Sequence, residues 1–155
     1  MRRTLAAAAA AAGVLAAGLF AAPAQADESA ARGHRDPNVI GSIELPQRLG
    51  RTDTTPFVTG AETTDACPEG YGNFVAFRVG RGDTFVNLAP YLSAGGYDQG
   101  ESVEVSATRS LDAALGADAR GIYHLRVQCS DELGVLADQY FDRRIAVIGD
   151  HWVAL

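Results

Sequence analysis

Gly121-Ile-Tyr-His-Leu-Arg-Val-Gln-Cys129 is the stretch that decides the fold class. Its side chains alternate. Tyr123, Leu125, Val127 and Cys129 share one face, and Ile122, His124, Arg126 and Gln128 share the other. A period of two sustained this long marks a β-strand with one buried face. The run closes on one of only two cysteines, Cys67 and Cys129.

The same pattern recurs on either side. In 74–79, Val75, Phe77 and Val79 share a face, with Arg78 on the other. In 101–108, Val103, Val105 and Ala107 point inward and Ser102, Glu104 and Ser106 outward, the cleanest alternation in the chain. Residues 39–45 place Val39, Gly41, Ile43 and Leu45 on one face, and 140–148 form a last long strand. Two weaker runs, 57–63 and 85–92, follow Pro56 and contain Pro90; the second proline restricts its run to a sheet edge or strand end. The tail Asp150–Leu155 continues the last strand or packs as a short cover. Gly80-Arg-Gly-Asp83, Gly95-Gly-Tyr-Asp98 and Asp131-Glu-Leu-Gly134 supply turn chemistry between the runs. Helical spacing occurs only in 110–120, where Gly116 interrupts it and leaves one turn at most or a strand connection. Short strands bounded by turn residues predict an all-β sandwich or barrel. No internal repeat is present.

The amino terminus reads as an export signal. Arg2 and Arg3 precede an Ala/Leu/Val run to Ala22, and Pro23-Ala24-Gln25-Ala26 has the small-x-small cleavage pattern. The mature chain is expected to start at Asp27. Residues 27–38 are polar and aperiodic, and read as a disordered leader into a single domain over 39–155. A transmembrane reading of the first segment lacks a basic far flank, and no later apolar run is long enough to span a bilayer. The expectation is a secreted, extracellular protein without membrane insertion after cleavage. The formal charge is −6, and the signal segment carries two arginines and no acid, so the mature chain is more acidic still. That balance argues against nucleic acid as a partner, which needs a basic footprint, and against adhesion to anionic lipid.

In an exported chain an even cysteine count implies pairing, and two cysteines allow one intramolecular connectivity. The loop closed would be about 60 residues, worth roughly 4 kcal/mol in the chain-entropy picture. Zinc would require further ligands at motif spacing, and thiol redox chemistry prefers Cys-x-x-Cys; neither is present. Free or intermolecular thiols are the remaining alternative.

Ala66-Cys67-Pro68-Glu69-Gly70, together with Gly121-Ile122-Tyr123-x-Leu125-x-Val127-x-Cys129, resembles the immunoglobulin-like domains of secreted actinobacterial proteins. Phe141-Asp142-x-x-Ile145-x-Val147 looks like their closing strand, and the likeness covers residues 39–149. The resemblance implies an immunoglobulin-like β-sandwich with one intersheet disulfide. No Leu-Pro-x-Thr-Gly sorting signal follows, so release or passive retention is expected over covalent attachment to a wall.

Chemistry-bearing motifs are sparse. His34, His124 and His151 share no ligand spacing, and His124 is expected to face water in mid-strand. No Gly-x-Ser-x-Gly elbow or P-loop occurs. Asp83, Asp98, Glu101 and Glu104 would make a calcium site only by gathering at one end of the sandwich, without an EF-hand pattern. Arg81-Gly82-Asp83 spells an adhesive tripeptide but is also ordinary hairpin-turn composition. Tyr71, Tyr91 and Tyr97 lie near glycine-rich loops, where tyrosines either form a binding face or pack over strand ends and the disulfide. No catalytic, cofactor or metal residue is assigned; Cys67 and Cys129 are the structural site. The sequence therefore points to a non-catalytic secreted binding or envelope-associated module for an extracellular protein or glycan. Alternatives are a carrier apoprotein for a small molecule, and a secreted hydrolase or protease inhibitor with its exposed loop near Gly95-Gly96.

Overall fold

A computed structural model describes residues 36–155. The signal peptide expected over 1–26 and the leader as far as residue 35 lie outside the described residues. Asp36–Asn38, which fell in the expected leader, form a turn whose Asp36 carboxylate accepts a hydrogen bond from the Tyr140 hydroxyl at 2.5 Å.

The elements are β1 (Val39–Glu44), β2 (Leu49–Arg51), β3 (Ala61–Thr63), β4 (Phe74–Arg81), β5 (Thr84–Asn87), β6 (Glu104–Val105), α1 (Leu111–Leu115), β7 (Gly121–Ser130), β8 (Leu136–Ile148) and β9 (His151–Ala154). The fold is all-β. Hydrogen-bonded neighbours run β5-β4-β7-β8-β1-β3-β6, with β9 joined to β8 and β2 to β9.

β7 is the centre. It pairs antiparallel with β4, Val75 opposite Cys129 and Val79 opposite Leu125, and with β8, Tyr123 opposite Ile145 and Val127 opposite Phe141. The inward residues read from the sequence are buried in these three strands, and Leu125, Val127, Val79, Phe141 and Ile145 are fully so. β1 makes the sheet curl. It lies parallel to β8 through Ser42, then leaves and pairs antiparallel with β3 from Ile43. Gly41 permits this crossing, since a Cβ there would lie 2.4 Å from Thr64 Oγ1 and 2.8 Å from the Phe141 ring. The core fills the inside of the curl. Its largest buried side chain is Trp152 on β9, whose ring meets Phe57 edge-on at 4.7 Å. The tail thus continues the sheet as a strand, and Gly50 on β2 leaves room for the indole, whose Nε1 would be 2.7 Å from a Cβ at that position.

Several expected strands are shorter than their patterns. In 101–108 only Glu104–Val105 forms a ladder, although Val103, Val105 and Ala107 are buried as expected. The partner strand β3 is three residues long, so Val103 bonds the Thr63 side chain and Ala107 N–H donates to Val58 O in a loop. The 57–63 run reduces to Ala61–Thr63, and 85–92 to Thr84–Asn87, beyond which the chain turns inward at buried Leu88. β2 had no alternating signal. The single helical turn is present: Ser110 caps it, its Oγ accepting from Ala113 N–H at 3.1 Å, and Gly116 ends it at φ +91°.

Cys67 and Cys129 are joined, with Cα atoms 5.9 Å apart and a separation of 62 residues. The link does not run from strand to strand. Cys67 lies in the β3–β4 connection, where its N–H donates to Tyr97 O at 2.8 Å, so the bond fastens a long loop to the end of the central strand.

Candidate functional site

The outward face of β5, β4, β7 and β8 is the place where polar groups converge. Strand alternation puts Phe85, Arg78, Arg126, His124, Tyr140 and Asp142 there, because each occupies the position opposite the inward residues. Arg126 stands opposite both Arg78 and Asp142 across its two neighbours.

Arg126 is the hub. Its guanidinium carbon lies 4.1 Å from the Phe85 ring centroid and 3.6 Å from the Tyr140 ring centroid, so the cation is held between two π faces. Phe85 reaches it because Gly80 is bare. A Cβ on Gly80 would stand 2.0 Å from Thr84 O and 2.9 Å from the Phe85 ring, so the ring folds back across the glycine. Arg78 lies 5.8 Å from the centroid of the same ring and donates to Gln128 Oε1 at 3.2 Å. Arg126 has no carboxylate within ion-pair distance among the described residues, and its buried Nε has no acceptor there.

Two acids border the stack. Asp142 is engaged by His124, whose Nδ1 lies 2.9 Å from its carboxylate. His124 therefore faces outward as expected but is paired rather than simply solvated. Asp36 takes the Tyr140 hydroxyl, and that bond holds its carboxyl below the usual aspartate range. The Tyr140 phenol is pushed up to about 12, by burial first and by the bond to Asp36 second. Tyr140 thus stays a neutral donor and keeps its ring flat against Arg126.

The other sequence candidates are scattered. Arg81-Gly82-Asp83 does sit at the β4–β5 hairpin tip, Gly82 taking φ +56° in a two-residue turn. Its arginine, however, lies over the Tyr123 ring at 5.2 Å. Arg81 and Tyr123 line an open cleft of about 420 Å³ with the 115–120 loop. Asp83, Asp98, Glu101 and Glu104 are not brought together: no metal-binding group of three His, Cys, Asp or Glu residues occurs among the described residues. Asp98 instead accepts from Gly70 N–H at 3.1 Å, and its carboxylate lies over Gly72. Tyr71 and Tyr97 are half-buried against the core, while Tyr91 is exposed.

Sequence reasoning missed the Arg126 stack. A signal existed: the outward positions of the central strand, His124, Arg126 and Gln128, stand opposite Arg144, Asp142 and Tyr140 respectively. Reading it required the register of β7 on β8, which no short motif encodes. No protein-family model, curated protein or solved structure matches the chain.

Proposed function

We propose that this chain is an exported, non-catalytic binding module with an immunoglobulin-like β-sandwich fold, and that it holds an anionic group of an extracellular protein or glycan on the outward face of β4, β7 and β8. The observation that carries the reading is Arg126, a guanidinium oriented by two aromatic rings and lacking an ion-pair carboxylate among the described residues. A planar cation fixed in this way has lost its rotamer freedom before binding, and its fork matches a carboxylate bidentately. Arg78 beside it adds a second positive charge, on a chain that is acidic overall. The sandwich reading is supported by β1 crossing from β8 to β3 over a core sealed by Trp152. Export is supported by the disulfide, which persists in oxidising compartments.

The test uses glucuronate and N-acetylglutamate as probes. With isotope-labelled arginine, the Arg126 side-chain resonance should shift on titration, and the affinity should fall as salt rises. Arg126→Gln should abolish the effect and Arg126→Lys should recover little, whereas Arg81→Gln should leave it unchanged. Equal binding by Arg126→Gln and the parent protein would sink the reading.

A further inference from the structure

Two strands carry their inward series past the edge of the core. After Val75, Phe77 and Val79 the next inward position of β4 is Arg81, and the inward position before Leu125 on β7 is Tyr123. The register that sets Gly80 opposite His124 brings these two together, and the Arg81 guanidinium lies 5.2 Å from the Tyr123 ring centroid. The ring is buried and the cation on it is exposed. The arginine of the Arg81-Gly82-Asp83 tip is thus folded over a core ring rather than held out with the tip.

The loop after α1 supplies a second arginine. Ala119 N–H donates to Gly116 O at 3.1 Å and closes a turn behind the helix. Arg120 folds back onto that turn, its Nη1 donating to Ala117 O at 3.1 Å and to Ala119 O at 2.6 Å. These bonds use Nη1 alone and leave the Nε–Nη2 edge as a fork. Arg81 and Arg120 line the same cleft of about 420 Å³, a volume within the range of small-molecule sites. Neither has a carboxylate within ion-pair distance among the described residues, in a chain with 19 acidic side chains against 13 arginines and lysines. Asp118 stands on the same lining and pairs with neither, and Leu115 adds an apolar wall.

The geometry points to a binding site in this cleft for a sugar that carries a phosphate or sulfate monoester. Two guanidinium forks face one space. A carboxylate has two oxygens and fills one fork, whereas a tetrahedral ester group has three terminal oxygens and is shared by both. Stacking on Tyr123 holds one cation and two backbone carbonyls hold the other, so the ordering cost of binding is reduced in advance. Asp118, an acceptor when ionised, suits the hydroxyls of a sugar and repels a second anionic group. Leu115 suits the C–H face of the ring. The cleft is independent of the Arg126 stack, because Arg126 projects from the opposite face of the sheet.

Titration of the oxidised protein with glucose 6-phosphate and with glucose 6-sulfate, followed by isotope-labelled arginine side-chain and tyrosine ring resonances, tests it. The Arg81, Arg120 and Tyr123 signals should saturate with a dissociation constant of about 1 mM or tighter, and the tighter ester identifies the oxyanion. Glucose and glucuronate should bind there at least about tenfold more weakly. Arg81→Gln and Arg120→Gln, both at exposed positions, should each weaken the ester by at least about tenfold while the far-ultraviolet circular dichroism stays that of the parent. Arg126→Gln should bind the ester as the parent does, so failure of the Arg126 reading leaves this result intact. Asp118→Ala should lower the affinity for glucose 6-phosphate relative to that for inorganic phosphate. No saturation by either ester overturns the proposal, as does undiminished binding by both arginine variants. Glucuronate binding as tight as that of the esters overturns the tetrahedral assignment, and an unchanged affinity ratio in Asp118→Ala overturns the sugar.

Discussion

Replacing both cysteines, Cys67→Ala with Cys129→Ala, tests how the loop between β3 and β4 is held. The bond closes 62 residues, and in the chain-entropy description its removal from the unfolded ensemble is worth about 4 kcal/mol. Both sulfurs are buried, Cys67 at 5% exposure and Cys129 at 1%, so their deletion adds about 1 kcal/mol each in lost packing. The total is about 5–6 kcal/mol. A domain of this length has about 6–18 kcal/mol in all. The double variant should therefore fold with its stability cut by a third or more. Urea denaturation of the oxidised parent and the variant measures the difference. Because most of the effect resides in the unfolded chain, the denaturant slope should rise when the cross-link goes, as more surface becomes exposed on unfolding. Amide exchange adds a local readout. The Cys67 N–H, bonded to Tyr97 O, should lose protection more than amides of β7 and β4. A loss under about 2 kcal/mol together with an unchanged slope would refute the reasoning, since neither the loop term nor the packing term would then be operating.

Other perturbations probe the remaining links. Trp152→Ala empties the largest buried site, where the indole meets Phe57, and should cost about 3–5 kcal/mol in denaturant titrations. Gly80→Ala forces a Cβ to within 2.0 Å of Thr84 O; a loss of about 1–3 kcal/mol is expected, together with weaker anion binding as Phe85 is displaced from Arg126. The Asp36–Tyr140 bond predicts a pH dependence at both ends. Asp36 has a depressed folded pKa, so its contribution is present above its ordinary value of 3.8 and disappears as acidity increases below it. Tyr140 has a raised folded pKa, so its contribution is present below its ordinary value of 10.0 and declines as pH climbs to about 12. Tyr140→Phe should flatten the alkaline limb and reduce the acid one, measured as unfolding free energy against pH; unchanged limbs would show that the bond has no such role.

Much of the inward face was legible. Val75, Phe77, Val79, Tyr123, Leu125, Val127 and Cys129 are all buried, because strand alternation is local and each residue type reports its own side. The turn at Gly82 was readable from its local Gly-Arg-Gly-Asp composition, and the helical spacing of 110–120, which left one turn or a strand connection open, resolves as the turn Leu111–Leu115. Strand length was less so. The 101–108 pattern is correct in burial and wrong in extent, because a ladder needs a partner of equal length and β3 offers three residues. Leu49–Arg51 has no pattern of its own and is a strand only because β9 runs beside it.

The outward groups were illegible for a further reason. Arg126 meets Phe85 and Tyr140 from residues far apart in the chain, and His124 finds Asp142 through the pairing of β7 with β8.

The amino-acid sequence by itself determined which residues turn inward, that the chain is built of strands, and that two cysteines have only each other to pair with inside the chain. Those facts follow from side-chain period and count. Only the tertiary structure decided that β1 crosses from one partner to another, that the disulfide holds a loop rather than a second strand, and that an arginine lies between two rings. These depend on register and strand order, which are set by the whole core packing at once rather than by any local run of residues.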